Sequence, residues 1–293
     1  MPRFGARNSK LPRLPVMSDG PRFTVITVVR NALDDLATTR ASVALQDFAD
    51  REHLIVDGAS TDGTVEWLRG LADPDLRWVS EPDDGIYPAM NKAASMARGM
   101  YLIFLNAGDT FRGSDVLSRW ARQSSRSGAR WQYARAIVVD AQRRPIRPDY
   151  GLRVYSTFKH AYARAAINHQ AVAMRREFFD ELGGFDLQHG NVADYGLLLK
   201  AGARAQPITL DTVDIEYLDG GLSAVNPRSQ WEKHKTRCDV LQYGLLKRNL
   251  DRAFALVQHG EIRARQMAKR LLMATSASGW MHRRAGRRLG RSA

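Results

Sequence analysis

The chain has 293 residues, of which 44% are hydrophobic and 26% charged, and its formal net charge is +13. This length accommodates one large α/β domain together with an appendage. The single cysteine, Cys238, excludes an intramolecular disulfide framework, and no apolar run reaches the roughly 18 to 20 residues that span a bilayer. No N-terminal segment has the composition of a signal peptide, so we expect a cytoplasmic protein.

The positive charge lies in the two tails. Residues 1–22 carry a net charge of +4, residues 262–293 contain nine basic residues and no acidic one, and the remainder has 30 of each sign. A nucleic-acid enzyme carries its basic surface on the folded domain, whereas basic tails with Leu, Met and Trp suit an anionic membrane face. We therefore expect peripheral contact with the inner face of the cell membrane and no nucleic-acid partner. A solvated tail without a partner is the alternative.

Residues 1–22 contain four prolines and no apolar period, which predicts disorder. Strands and helices alternate from residue 23 onward. The pattern predicts strands at 23–29, 53–56, 76–79 and 101–105, with helices at 33–46, 63–70 and 86–97 between them. This alternation indicates right-handed βαβ units and a mainly parallel sheet, which is typical of a nucleotide-binding half.

The rhythm is less regular after residue 109. We predict helices at 114–123, 175–182 and 192–201, strands at 132–140 and 171–174, and one long helical stretch over 229–259. Only Gly244 interrupts that last stretch as a helix breaker.

Two carboxylates follow predicted strands. Asp109 lies just beyond the apolar strand at 101–105, and ligands of open α/β sheets bind outside the carboxyl ends of strands. Asp57 ends another strand, where its carboxylate could accept the N–H of a uracil or guanine ring. Gly58 permits close approach of a ligand to the backbone there. We therefore expect both carboxylates at a ligand site.

Several ordered motifs carry a family resemblance. They are ITVVRNA at 26–32, VDGASTDGT at 56–64, SEPDDGIYPAMNKA at 80–93, FLNAGD at 104–109 and INHQ at 167–170. Together they resemble the family 2 glycosyltransferases, over roughly residues 23–223. The 80–93 motif is similar to the SEPDKGIYDAMNKG pattern of bacterial exopolysaccharide and cell-surface glycan transferases of the colanic-acid type.

The resemblance implies a GT-A fold, with a mainly parallel central sheet flanked by helices and a C-terminal helical extension. It implies an inverting transferase that moves a sugar from a nucleotide-diphospho-sugar to a glycan or lipid-linked acceptor in polysaccharide or cell-envelope glycan biosynthesis. We expect a nucleotide-sugar-binding half at 23–110, an acceptor half at 111–226 and a basic helical extension at 227–293.

The resemblance also assigns site residues. Asp194, in VADYG, matches the catalytic base, and Asp109 matches a ligand of a divalent cation, Mn²⁺ or Mg²⁺. The residues expected to bind the nucleotide-sugar are Thr27, Val29, Asn31, Asp57, Asp83, Asn91, Lys92, Asn106, Ala107, His169 and Gln170.

The chain departs from the family pattern at Asn106, which stands where the metal motif often has Asp, and at Asp84 and Pro88. The first departure predicts weaker metal binding and leaves open a catalytically impaired scaffold or sugar-nucleotide-binding protein of a glycan assembly complex. A nucleotidyltransferase would need a Gly-rich basic loop after the first strand, and a dehydrogenase a G-x-G-x-x-G motif there. Neither motif is present.

Overall fold

The computed structural model describes residues 20–162, 167–220, 229–264 and 267–268. The predicted disorder of the N-terminal tail and the basic segment at 269–293 fall on residues outside these ranges, apart from 20–22. The strands are β1 (Phe23–Val29), β2 (Arg51–Asp57), β3 (Leu76–Ser80), β4 (Tyr101–Phe104), β5 (Thr110–Phe111), β6 (Trp131–Val139), β7 (Val172–Arg175) and β8 (Ile208–Leu218). The helices are α1 (Leu33–Ala44), α2 (Thr64–Arg69), α3 (Ile86–Met96), α4 (Val116–Ser127), α5 (Thr157–Tyr162), α6 (Arg176–Glu181), α7 (Ala193–Arg204) and α8 (Ser229–Val240).

One mixed sheet organises the chain, in the strand order β3-β2-β1-β4-β7-β6-β8-β5. The first four strands in that order run parallel to one another, as their alternation with helices predicts. β7 pairs antiparallel with both β4 and β6, while β6 and β8 pair in parallel and β5 and β8 antiparallel. The parallel arrangement therefore dominates the first half, and the second half is mixed.

The parallel strands are buried on both faces. Ile26 and Val28 of β1 pack into one hydrophobic cluster with α3 and α7, and Phe23 and Val25 pack into another with α1 and α4. This is the environment that a continuous apolar run predicts. The loops beyond the strand ends therefore start from a sheet that is packed on both faces.

The sequence prediction missed β8. Its residues alternate imperfectly, because the pairing with β6 shifts register near Arg135, where a bulge interrupts the ladder. The strand could be recognised by its apolar residues, which alternate with polar ones except for one interruption. They are Ile208, Leu210, Val213 and Ile215. The omission matters because β8 ends beside the cleft described below.

The helical stretch predicted at 229–259 is divided in two. α8 ends at Val240, the chain turns over 241–244, and residues 245–264 form a second helix. Arg237 of α8 joins the two through a buried ion pair with Asp251, with Nε–Oδ1 2.8 Å and Nη2–Oδ2 3.0 Å. None of the described helices combines the length and apolar character needed to cross a bilayer.

A buried histidine links the first two strands of the sheet. The Thr27 hydroxyl donates to the Leu105 carbonyl (2.7 Å) and so accepts from His53 Nε2 (2.9 Å). Burial, helped by the charges of Arg40 and Arg51, lowers the pKa of His53 from 6.5 to about 3. His53 is therefore neutral in the folded protein near pH 7.

We predict that acid unfolding is driven in part by this histidine. Because the unfolded chain binds the proton at a higher pH than the folded one, stability is complete above pH 6.5 and falls as the pH drops toward 3. By pH 4 the loss from His53 is about 3 kcal/mol. In denaturant titrations, the free energy of unfolding of the His53→Gln variant should fall less between pH 7 and pH 4 than that of the wild type, by about the contribution of His53. An acid dependence equal to that of the wild type would contradict this assignment.

Candidate active site

A cleft of about 1030 Å³ opens beyond the carboxyl ends of β1, β2 and β4. This is the place where open α/β sheets bind ligands. Its lining includes predicted residues from both halves of the chain: Val29, Asp83, Asn106, Ala107, Asp109, His169, Gln170 and Asp194. The start of α3, the start of α7, the end of β8 and residues of β6, α8 and the 147–150 segment also line it.

The loop after β4 is held tightly. Asp109 is 3% exposed; its Oδ1 accepts from the Leu218 N–H (2.9 Å) and its Oδ2 from Gln170 Nε2 (2.8 Å). Gly108 has φ +94°, and a Cβ there would lie 2.9 Å from Leu218 Cδ2. Its N–H donates to Thr39 Oγ1 (2.9 Å). The positive φ favours a glycine at this position, and a larger residue would also displace the Leu218 methyl.

Burial is the main influence on the Asp109 carboxyl. It raises the pKa to about 7, although the Leu218 N–H, the charge of His169 and the Gln170 amide oppose the shift. A positive charge in the cleft would favour the ionised form.

The donor groups near Asp109 fit a hard divalent cation. Asn106 lies in the same loop; its Oδ1 is buried and has no hydrogen-bond partner, and its Nδ2 lies 3.5 Å from His169 Nε2. Carboxylate and amide oxygens are suitable ligands for Mg²⁺ or Mn²⁺. Asp109 and Asn106 are therefore the residues that could hold such an ion, and the Asn106 oxygen gains a partner if they do.

Asp194 lies at the start of α7 with both carboxylate oxygens hydrogen-bonded. Its Oδ1 accepts from the Tyr87 hydroxyl (3.0 Å), and His169 Nδ1 lies 3.0 Å from its Oδ2. Burial raises the pKa of this carboxyl, but the hydrogen bond and charge of His169, together with Tyr87, outweigh burial and lower it to about 2. Asp194 is thus an ionised, oriented carboxylate on the cleft wall.

Lys233 is a cleft residue that the sequence prediction missed. It projects from α8 into the lining, and its Nζ lies 5.2 Å from the centroid of the Tyr195 ring. Burial lowers its pKa, the Asp194 charge raises it, and within the described ranges no ion pair or hydrogen bond engages the ammonium. Nothing in the WEKHKTRC segment distinguishes Lys233 from Lys235, so only the orientation of α8 could reveal it.

Other predicted residues have contacts outside the cleft lining. Thr27 is fully buried within β1. The Asn91 side chain donates to the Phe185 carbonyl (2.8 Å) and accepts from the Phe185 N–H (2.9 Å). Lys92 forms ion pairs with Glu81 and Asp83. Donor contacts by these residues stay predictions, and their present contacts are structural.

Asp57 and Asn31 order the turns beside the cleft. Asp57 Oδ2 accepts from the Ser60 N–H (3.0 Å) and the Ser80 hydroxyl (2.6 Å), while its Oδ1 is buried and unpartnered. Asn31, at φ +52°, accepts from the Thr61 N–H (2.8 Å). The free oxygen of Asp57 suits the predicted base contact, but in this structure it does not reach the cleft lining.

Comparison with known proteins decides the family. Residues 24–182 match the family described as Glycosyl transferase family 2. The chain belongs to glycosyltransferase family 2. An uncharacterized glycosyltransferase of Mycobacterium tuberculosis is 31% identical over 256 residues, covering 85% of this chain and 93% of the relative. A PGL/p-HBAD biosynthesis glycosyltransferase of Mycobacterium bovis is 28% identical over 210 residues, which cover 69% of this chain and 79% of the relative.

Solved structures confirm the fold of this family 2 glycosyltransferase. Staphylococcus aureus TarS 1–349 in complex with UDP-GlcNAc has a TM-score of 0.63 at 17% identity and covers 80% of this chain and 70% of its own. The mannosyltransferase PcManGT from Pyrobaculum calidifontis in complex with GDP-Man and Mn²⁺ has a TM-score of 0.56 at 20% identity. The match covers 88% of this chain and 80% of PcManGT. The predicted GT-A fold is therefore confirmed, with a more mixed sheet in its second half.

We predict that the Lys233 ammonium binds a phosphate group in the cleft. A charged hydrogen bond to phosphate is worth about 1.5 to 3 kcal/mol, so Lys233→Met should weaken inorganic pyrophosphate binding at least about tenfold in isothermal titration calorimetry. Lys235→Met is the matched control, because Lys235 lies on the same helix and is exposed. Equal pyrophosphate affinity in the Lys233 variant and the wild type would remove this role.

Proposed function

We propose that this glycosyltransferase transfers a sugar from a nucleotide-diphospho-sugar to a glycan or lipid-linked acceptor, with inversion at the anomeric carbon. The observation that carries the proposal is the Asp194 carboxylate, which stays ionised between His169 and Tyr87 on the cleft wall. Its position in the chain is also the one that the family resemblance gives to the catalytic base.

The reaction is a single in-line displacement. The acceptor hydroxyl gives its proton to Asp194 as its oxygen bonds to the anomeric carbon. The bond from that carbon to the diphosphate oxygen breaks, and the nucleoside diphosphate leaves with the electron pair. His169 orients the carboxylate through its 3.0 Å contact, and Tyr87 fixes the other oxygen.

The donor occupies the side of the cleft formed by the first half of the chain. We assign the nucleotide to the ends of β1 and β2, with Asp57 buried at the end of β2, and the diphosphate to the region between the 106–109 loop and Lys233. Arg30 also lines this cleft and adds positive charge. The base is left open, since the two solved relatives hold UDP-GlcNAc and GDP-Man respectively.

A divalent cation completes the proposed donor site. Asp109 and Asn106 would hold it, and it would stabilise the negative charge that grows on the leaving diphosphate. The Mn²⁺ bound with GDP-Man in PcManGT supports a divalent ion in general. The Asn in place of a second carboxylate favours looser metal binding than a two-carboxylate site gives.

One relative supports a proposal for the acceptor and the biological setting. The Mycobacterium bovis relative is named for PGL/p-HBAD biosynthesis, which supports a role in cell-envelope glycan assembly. Residues 111–226 would form the acceptor side, and the basic tails would contact the inner face of the membrane. A catalytically impaired scaffold or sugar-nucleotide-binding protein is the second candidate, and Asn106 is the observation that favours it.

Asp194→Asn should abolish transfer and spare donor binding. Loss of a general base lowers the rate by about 10² to 10⁴, and an amide keeps the size of the side chain. We expect kcat to fall by that factor while the dissociation constant of the donor is unchanged. Asp180→Asn, an exposed aspartate on α6, is the control. Undiminished turnover in the Asp194 variant would exclude Asp194 as the base.

A thermal-shift screen should identify the donor. UDP-, GDP- and dTDP-sugars are tested with and without Mn²⁺, and a ligand at 100 times its dissociation constant stabilises the fold by about 2.7 kcal/mol. We expect one nucleotide to give a shift that grows with Mn²⁺, and Asp109→Asn to lose the metal-dependent part. If no donor shifts a folded sample, the scaffold candidate replaces the transferase.

A further inference from the structure

The helix at 245–264 presents large apolar side chains to solvent. Leu245, Leu246, Leu250, Leu256 and Val257 are 57% to 80% exposed, and we call this set the outer face. More than half of the large hydrophobic residues that are exposed in the described chain lie between residues 245 and 267. Contiguous exposed apolar surface of this kind marks an interaction site.

The outer face is one side of the helix. Leu246, Leu250 and Val257 recur at spacings of four and seven residues, which places them along a single stripe. The opposite side contacts the protein, where Asp251 and Ala255 are buried. The helix is therefore amphipathic with its apolar stripe turned outward, the reverse of a helix that packs only on its own domain.

The buried ion pair fixes this orientation. Arg237 holds both carboxylate oxygens of Asp251, and His234 Nδ1 lies 2.6 Å from Oδ2. The Arg237 guanidinium also lies 5.7 Å from the ring of Phe254. Turning the helix to bury its leucines would withdraw Asp251 from Arg237 and leave two buried charges unpaired, which is strongly unfavourable.

The net charge of this helix and of the sequence after it selects the partner. Lys247, Arg248, Arg252 and Arg263 are exposed along the helix with one exposed acid, Glu261, although Arg252 lies over the Trp231 ring of α8 and not on the outer face. The sequence at 262–293 contains nine basic residues and no acidic one. Two copies of this surface would bring like charges together. An anionic bilayer accepts both features, because apolar side chains enter the headgroup boundary while Lys and Arg contact anionic lipids.

We propose that the outer face of the helix at 245–264 binds the protein to an anionic lipid bilayer. The helix at 245–264 is connected to the cleft through α8. Lys233 of α8 lines the cleft, and Arg237 of α8 forms the ion pair with Asp251 of the 245–264 helix. The inference goes beyond the proposed transfer, because bilayer binding is measured without donor or turnover and the two can fail separately.

The test is co-flotation of the full-length protein with phosphatidylcholine vesicles that contain about 30% phosphatidylglycerol as the anionic lipid. The variant Leu246→Gln, Leu250→Gln, Val257→Gln should reduce the bound fraction at least tenfold, and its melting temperature should equal that of the wild type. The control variant Leu45→Gln, Phe158→Gln, Leu187→Gln changes three other exposed apolar residues and should float like the wild type.

Two results would overturn the proposal. The first is equal flotation of the outer-face variant and the wild type, which would leave binding to the basic tails alone. The second is a wild type that does not bind these vesicles and sediments as a dimer that the outer-face variant dissociates. In that case the outer face is an interface between two copies of this chain.

Discussion

The buried carboxylate of Asp109 joins three segments that are distant in the sequence. The loop after β4 carries it, Gln170 donates to it from just before β7, and the Leu218 N–H donates to it from the end of β8. These bonds tie the parallel half of the sheet to the mixed half at the floor of the cleft. Because a buried, unpartnered carboxyl is costly, the cleft keeps this shape only while both donors are in place.

The two aspartates of the cleft differ in their tendency to be ionised. Asp109 and Asp194 are acidic groups with opposite pKa shifts: burial raises the first to about 7, and hydrogen bonds hold the second at about 2. Lys233 adds a positive charge without an ion pair among the described residues. The site thus combines an ionised carboxylate with a buried carboxyl of raised pKa. In the proposed reaction, the first would take the proton of the acceptor and the second would hold a cation beside the leaving diphosphate.

The sequence predicts the first half of the fold well because parallel βαβ units bury local, continuous apolar runs. It also predicts Asp109, Asn106, His169 and Asp194, which the structure brings into one cleft. It misses β8, whose alternation is interrupted by a bulge. It also misses Lys233, whose place in the cleft lining depends on how α8 packs. Such long-range features leave little trace in local periodicity.

The position of β8 has a consequence for the order of assembly during synthesis. Leu218 lies 109 residues after its partner Asp109, and non-local contacts of this kind form late because the intervening chain must first be closed. The strands of the parallel half are complete by Phe104 and can pair as they emerge. The floor of the cleft closes only once β8 has been made, so a growing chain has a sheet long before it has a usable ligand pocket.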